Sequence, residues 1–159
     1  EARNTVSPSS VLENANTSIL EDNRTRLFMS AFYALLNLKT GEMRFANGGH
    51  DYPILLSGEQ CRFLEVDGYV LGAFRDIHLT EQQIYLNHGD ALILYTDGIT
   101  EARSTENGIF GENRLLDVVT GMRNSSAEEI AAAILNAVGN FADNDTQSDD
   151  FTLLVVKRL

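Results

Sequence analysis

One stretch of the sequence guides the interpretation of the rest: residues 91–102, which read ALILYTDGITEA. Its first five residues are apolar or aromatic β-formers, and the pairs Gly89-Asp90 and Asp97-Gly98 flank the strand. This is the pattern of a buried central strand with a turn at each end. Such a strand delivers the Asp97 carboxylate to one edge of a sheet, and Gly98 is expected to free the backbone just past it.

A second acidic strand boundary lies near the C-terminus, where residues 147–150 read QSDD and run into the apolar stretch FTLLVV, residues 151–156. An acidic pair before a strand is by itself typical of an ordinary turn, and so is Asp97-Gly98 after one. Taken together, Asp97, Asp149 and Asp150 indicate a cation site in addition to turns, because neighbouring acids repel and a bound cation relieves that repulsion. Two strands that present carboxylates at their ends predict a cluster of hard oxygen ligands for Mg²⁺ or Mn²⁺.

The composition limits the class of protein. The chain has 159 residues and 43% hydrophobic content, which predicts one domain with a substantial core. Its 23 acidic and 12 basic residues give a net charge of -11, which argues against a nucleic acid partner. The single cysteine, Cys61, excludes an intramolecular disulfide and a multi-cysteine zinc site, and it fits a reducing cytoplasm. No apolar run approaches the roughly 18 residues of a membrane span, and the N-terminus lacks the pattern of a signal peptide.

The chain is predicted to alternate short antiparallel strands with a few helices. A helix is expected from Pro8 to Leu20 with Ser7 as its N-cap. Two later helices are expected over residues 112–122 and from Ser125 or Ser126, each serine being followed three residues later by a glutamate. Strands are expected at residues 27–36, 42–46, 54–56, 62–65, 83–86, 91–95 and 151–156.

Several kinds of chemistry have no support in the sequence. The histidines His50, His78 and His88 lack the spacing of a zinc motif, and Cys61 has no evident partner. There is no Gly-x-Ser-x-Gly elbow, no Walker loop and no dinucleotide fingerprint. A nucleophilic side chain and a bound nucleotide are therefore not expected.

Five segments in this order resemble the SpoIIE-like bacterial phosphatases, which belong to the metal-dependent type-2C (PPM) Ser/Thr phosphatase superfamily. They are FANGGH at residues 45–50, LG at 71–72, LYTDGITEA at 94–102, FGENRL at 110–115 and DDFTL at 149–153. The resemblance covers essentially the whole chain, and the segment around Asp97 is its most diagnostic part.

The resemblance implies an α+β fold, a four-layer α/β/β/α sandwich of two antiparallel sheets flanked by helices. It implies a site for two Mn²⁺ or Mg²⁺ ions, with a metal-bound water as the nucleophile and no catalytic side chain. Asp97 and Asp149 match the family's metal ligands, and Asp150, Gly98, Asn47 and His50 match positions near the site. The implied substrate is phosphoserine or phosphothreonine on a small regulatory protein, often an anti-sigma-factor antagonist.

The chain departs from the family in one respect, because the early Gly-Asp-Val-Ser-Gly-His-Gly type segment, which supplies a bridging metal ligand, is absent. We therefore expect residues 1–159 to be the C-terminal major part of one phosphatase domain, with a sensor or receiver domain upstream. The alternative is a pseudophosphatase that serves as a binding module, although the retained acids Asp97, Asp149 and Asp150 favour the enzyme. Sheet edges left unpaired by the missing strands predict a homo-oligomer.

Overall fold

The computed structural model describes residues 6–22, 27–142 and 151–159. The chain forms two compact units, residues 1–50 with 65–85 and residues 51–64 with 86–159. The first is called unit 1 and the second unit 2. Asp149 and Asp150, two of the predicted site residues, lie outside the described residues.

Unit 1 is an antiparallel sheet carrying one helix. Helix α1 spans Pro8–Asp22, and strands β1 (Ala31–Leu36), β2 (Glu42–Gly48) and β5 (Glu81–Tyr85) form a sheet in the order β1-β2-β5. The apolar face of α1 packs on the sheet through a small core. Its buried members are Leu12, Ala46, Leu71, Ile77 and Leu79.

Unit 2 is a second antiparallel sheet with helices on it. Strands β3 (Ile54–Ser57), β4 (Gln60–Phe63), β6 (Ala91–Tyr95) and β9 (Leu153–Lys157) lie in the order β4-β3-β6-β9. Helices α3 (Gly111–Val119) and α4 (Ala127–Phe141) share one core with this sheet. A one-turn helix α2 (Asp97–Thr100), a hairpin of β7 (Arg103–Ser104) and β8 (Gly108–Ile109), and a 3-10 turn at Met122–Asn124 complete the unit.

Features set by short-range chemistry were predicted correctly. The α1 helix begins at Pro8, and the Ser10 amide donates to the Ser7 hydroxyl at 3.5 Å. Of the two serines proposed to start the last helix, Ser126 is the N-cap: its side chain and that of Glu129 form a reciprocal capping box. The antiparallel sheets also confirm the predicted α+β class.

Other boundaries were wrong. The strand predicted over residues 27–36 begins only at Ala31, and Met29 forms an isolated bridge with Leu71. The strands predicted at 62–65 and 83–86 begin two residues earlier, because their partners β3 and β2 set the pairing. The polar loop predicted after residue 102 contains the β7–β8 hairpin.

Candidate functional site

Strand β6 brings Asp97 to the end of the unit 2 sheet. The strand lies between β3 and β9, and Ala91, Leu92, Ile93 and Tyr95 are buried. Asp97 follows as the first residue of α2, and its side chain is exposed. Its backbone carbonyl accepts a hydrogen bond from the Glu101 amide at 2.7 Å, whereas no described side chain bonds to its carboxylate. The carboxylate is therefore accessible to solvent.

The backbone at Gly98 differs from the expectation, while the predicted place of Gly98 near a metal stays a prediction. The Asp97-Gly98 pair opens a helical turn instead of a reverse turn, and Gly98 is not among the glycines with positive φ. Any residue could adopt such a backbone conformation. The expectation that Gly98 frees the backbone past the carboxylate is thus wrong, because Ile99 folds back onto the core and continues the chain as a helix.

The start of β9 is hydrogen-bonded to the end of β6 beside Asp97. Tyr95 pairs with Leu153 in the sheet, and one residue further on the Thr96 amide donates to the Thr152 carbonyl at 3.1 Å. The Thr152 amide in turn donates to the Thr96 hydroxyl at 2.9 Å. This second bond uses a side chain, so it depends on a hydroxyl at position 96. Neither threonine was assigned a role from the sequence, although each is adjacent to a strand end.

The described residues do not by themselves make a metal site. Among them, no group of three or more His, Cys, Asp or Glu side chains is placed to hold a metal ion. Asp97 carries carboxylate oxygens of the kind that Mg²⁺ and Mn²⁺ prefer, and its role as a metal ligand stays a prediction. The predicted partners Asp149 and Asp150 lie outside the described residues, so their role in a metal site stays a prediction.

A buried phenol lies two residues before Asp97. The Tyr95 side chain is 3% exposed, and its hydroxyl has no hydrogen-bond partner among the described residues. Burial raises the pKa of this phenol above its ordinary value, and the negative charges of Glu112 and Asp51 raise it further. Tyr95 therefore stays neutral and supports the strand end through packing.

In unit 1, Asn47 shapes the turn that carries His50. The Asn47 side chain is 1% exposed, donates to the His50 carbonyl at 2.8 Å and accepts from the His50 amide at 2.7 Å. Gly49 has φ +75°, as a tight turn requires. The Nδ1 atom of His50 is buried and has no hydrogen-bond partner in the described part of the chain. The two residues thus share one turn, in which the Asn47 side chain is bonded to the His50 backbone, and their place near a metal site stays a prediction.

Comparison with known proteins identifies the class first. The solved SiaA-PP2C domain of Pseudomonas aeruginosa matches with a TM-score of 0.80 at 18% identity, covering 95% of this chain and 60% of that one. The phosphatase domain of SpoIIE from Bacillus subtilis, in a structure described as Mn presoaked, matches with a TM-score of 0.64 at 18% identity and covers 98% and 76%. At such identities the likeness shows the fold alone, and it confirms the predicted antiparallel α+β fold as that of PP2C phosphatase domains.

The family follows from the sequence match. The profile of Stage II sporulation protein E (SpoIIE) matches residues 1–159, so the chain belongs to the SpoIIE family. The phosphoserine phosphatase RsbU of Bacillus subtilis is 32% identical over 155 residues, 96% of this chain. The chain spans just under half of RsbU, 46% of its length. The described residues contain no helix that is both long and apolar enough to cross a membrane.

Proposed function

We propose that this chain is the larger part of a metal-dependent phosphoserine/phosphothreonine phosphatase domain that acts on a small regulatory protein in bacterial signalling. The observation that carries the proposal is the β6–β9 junction, where an exposed Asp97 carboxylate lies beside the Thr96–Thr152 pair. Membership of the SpoIIE family and the likeness to RsbU support it. The substrate type follows the family, in which an anti-sigma-factor antagonist is the expected phosphoprotein.

Chain connectivity supports a shared role for the three acids. Asp149 and Asp150 precede Thr152 by only three and two residues in the sequence. Because Thr152 is bonded to Thr96, the segment that contains both acids joins the described chain beside the strand end that carries Asp97. A cluster of hard oxygen ligands at this end is therefore consistent with the pairing of β6 and β9.

Asp97 and Asp149 would hold the metal, with Asp150 as a neighbour, and the complete domain is expected to bind two Mn²⁺ or Mg²⁺ ions. Such ions supply Lewis-acid neutralisation of the charge on a phosphoryl group. The contribution of the chain is to fix Asp97 in place. Ile99, fully buried two residues later, anchors α2 to the core, and the Thr96 amide joins β6 to β9.

The direct test is Mn²⁺-dependent hydrolysis of p-nitrophenyl phosphate, followed by hydrolysis of phosphoserine and phosphothreonine peptides. Asp97→Asn should lower kcat/KM on the order of a hundredfold or more, the range in which loss of one charge-stabilising group falls. Asp117→Asn is the matched control, since Asp117 is an exposed aspartate of α3 in the same unit. Equal activity in Asp97→Asn and the parent chain would contradict the assignment of Asp97.

A second readout needs no turnover. A ligand that binds only the folded protein raises its unfolding temperature in proportion to the logarithm of its concentration. Mn²⁺ should therefore raise the unfolding temperature of the parent chain and of Asp117→Asn, and it should raise that of Asp97→Asn much less. A shift that is the same in all three proteins would place the metal elsewhere.

The second candidate is a pseudophosphatase that binds a phosphoprotein without hydrolysing it. The observation in its favour is that residues 1–159 contain no Gly-Asp-x-Ser-Gly-His segment, which in the family supplies a bridging metal ligand. Binding of a phosphoprotein with no hydrolysis, in this chain and in any longer natural form that contains the segment, would favour this candidate. Recovery of hydrolysis in a longer form that contains the segment would favour the enzyme.

We also propose that the chain self-associates through its sheet edges. Within the described residues, β1 and β5 end one sheet and β4 and β9 end the other, and edge strands present unpaired backbone groups. Sedimentation at micromolar concentration should show a dimer or larger oligomer, and a single monomeric species would contradict this proposal. A sensor or receiver domain upstream remains part of the proposal for the whole protein.

The proposed compartment is the cytoplasm. The support is the single cysteine, Cys61, which is a free thiol in the structure. Fractionation of the cells that produce the protein tests this directly, and recovery outside the cytoplasmic fraction would contradict it.

A further inference from the structure

The orientation of the Asn47 amide is fixed by two bonds of opposite polarity. Its Nδ2 donates to the His50 carbonyl at 2.8 Å, and its Oδ1 accepts from the His50 amide at 2.7 Å. Exchanging the amide nitrogen and oxygen would set two acceptors against each other and two donors against each other. Both hydrogen-bonding groups of the His50 backbone are thereby occupied by one side chain. The direction in which the His50 side chain leaves the backbone is fixed as a result.

The surroundings of the turn leave it little freedom to move. A Cβ atom on Gly68 would lie 1.8 Å from the Asn47 carbonyl oxygen, and a Cβ on Gly49 would lie 2.6 Å from the Val70 side chain. The segment around residues 68–70 is therefore packed directly against the turn. Such close packing is what a positioned functional side chain requires.

The imidazole of His50 has two unlike sides. Its Nδ1 is buried and lacks any hydrogen-bond partner among the described residues, whereas the residue as a whole is partly exposed. A buried N–H without an acceptor is costlier than a buried acceptor without a donor. In the neutral ring the proton is therefore favoured at Nε2, because the bonding of one ring nitrogen decides the protonation of the other.

We propose that Asn47 is a positioning residue that holds His50 in its Nε2–H tautomer, and that His50 donates this hydrogen bond to an oxygen of a phosphate group. The phosphate class of the ligand rests on the proposed phosphatase function, whereas the tautomer and the role of Asn47 rest on the geometry of unit 1. No bond is made or broken in this step. His50 binds and orients the phosphate oxygen through one charge-assisted hydrogen bond.

Nitrogen NMR tests the proposal without any turnover. Long-range proton–nitrogen correlation of ¹⁵N-labelled histidine should show Nε2 protonated and Nδ1 unprotonated in His50. Inorganic phosphate should then shift the His50 Nε2 resonance more than those of His78 and His88, the other two histidines of the chain. His88 is a useful reference, because its Nδ1 lies 2.7 Å from the Leu159 carbonyl oxygen. A Nδ1–H tautomer, or no phosphate response beyond that of the reference histidines, would overturn the proposal.

Two substitutions of His50 distinguish the role of its Nε2 from that of its Nδ1. The amide nitrogen of a glutamine reaches roughly the place of Nε2, and that of an asparagine reaches roughly the place of Nδ1. His50→Gln should keep phosphate affinity and kcat/KM within about threefold of the parent chain, whereas His50→Asn should lose about tenfold or more, the value of one charged hydrogen bond. Equal losses in the two variants would overturn the assigned tautomer.

The role of Asn47 is tested against a matched asparagine. Asn37, in the β1–β2 hairpin, also accepts backbone bonds through its side chain, from the Lys39 and Thr40 amides at 3.0 and 3.2 Å, but it is exposed. Asn47→Asp, which keeps the acceptor and loses the donor, should alter the His50 ring resonances and lower phosphate affinity about tenfold. Asn37→Ala should leave both unchanged. In a His50→Ala background, Asn47→Asp should cost no further affinity, and an undiminished cost there would show that Asn47 does not act through His50.

These outcomes are distinct from failure of the proposed function. If the parent chain hydrolyses no phosphate ester while His50 still shows the Nε2–H tautomer and the phosphate shift, the inference stands and the chain is a phosphate-binding module. If hydrolysis is present and the His50 variants behave alike, the phosphatase function stands and the inference is wrong.

Discussion

The ends of β2 and β6 use a polar residue in opposite ways. Asn47, at the end of β2 in unit 1, is buried, and its side chain makes two backbone hydrogen bonds. Asp97, after the end of β6 in unit 2, is exposed, and only its backbone carbonyl is bonded among the described residues. The side chain of Asn47 holds the backbone of the turn, whereas the carboxylate of Asp97 is exposed and makes no hydrogen bond among the described residues. Substitutions at the two ends should therefore differ in their cost to the free energy of unfolding.

The largest expected effect on the free energy of unfolding is at the closely packed end of β2. Gly68→Ala would place a Cβ 1.8 Å from the Asn47 carbonyl oxygen and 3.2 Å from the Gly49 amide nitrogen, so backbone must move. We expect a loss of about 3 kcal/mol or more in the free energy of unfolding, at the upper end for overpacked sites. Urea denaturation measures it. Gly139→Ala in α4 is the control, because a Cβ there meets nothing within 4 Å and alanine favours the helix by up to about 1 kcal/mol. A neutral Gly68→Ala would show that the end of β2 is not closely packed.

The next effect concerns the support beneath Asp97. Ile99 in α2 is fully buried in the unit 2 core, so Ile99→Ala should destabilise the chain by about 2–5 kcal/mol. Ile109→Ala is the matched control, since Ile109 is 54% exposed and its truncation should cost well under 1 kcal/mol. The free energies of unfolding of both variants are compared by urea titration. Similar losses for the two isoleucines would mean that α2 is not anchored as described.

Features set by residues close in sequence could be predicted from the sequence, whereas features set by tertiary contacts could not. The Ser126 and Glu129 capping box depends on residues three positions apart, and it was recognised as one of two possible helix starts. Leu135 is apolar and adjacent to the buried Ile134, yet it is 42% exposed, because the buried stripe of α4 follows Ile130, Ile134 and Val138 at four-residue steps. Periodicity places the centre of such a stripe well and its edge poorly.

The same distinction between local signals and tertiary contacts applies to the candidate site. Asp97 could be located because an apolar strand stops at it, and its exposure agrees with that interpretation. The helical turn at Gly98 could not be anticipated, since an Asp-Gly pair ordinarily indicates a reverse turn and the burial of Ile99 decides otherwise. The Thr96–Thr152 bond and the contact of Gly68 with Asn47 join distant parts of the sequence. No local pattern reveals such pairs.

A smaller effect compares the two ends directly. Asn47→Ala leaves the His50 amide and carbonyl without their partner inside a packed turn, so we expect a loss of about 2–3 kcal/mol in unfolding free energy. Asp97→Ala removes an exposed acid from the first turn of a short helix, and it should cost less than about 1 kcal/mol. Calorimetric unfolding of both variants in metal-free buffer gives the difference. If Asp97→Ala were the more destabilising of the two, the carboxylate would have a structural role and its assignment to a ligand would fail.

The smallest effect tests whether unit 2 offers a nucleophile other than water. Cys61 in β4 packs partly against the core, and burial raises the pKa of its thiol from 9.0 to about 11, although a hydrogen bond with Thr120 opposes the shift. Alkylation by iodoacetamide at pH 8 should therefore be about one to two orders of magnitude slower in the folded chain than in the chain unfolded in urea, because only the thiolate reacts.

The same pKa shift fixes the sign of the pH dependence of stability. The folded state holds the Cys61 proton more tightly than the unfolded state does, so this contribution is fully present below about pH 9 and is lost as the pH rises through about 11. Cys61→Ser should remove that part of the alkaline loss while leaving Mn²⁺-dependent hydrolysis unchanged. Rapid alkylation at pH 8 that also abolished hydrolysis would give unit 2 a thiol nucleophile. The end of β6 would then no longer be the sole candidate for its chemistry among the described residues.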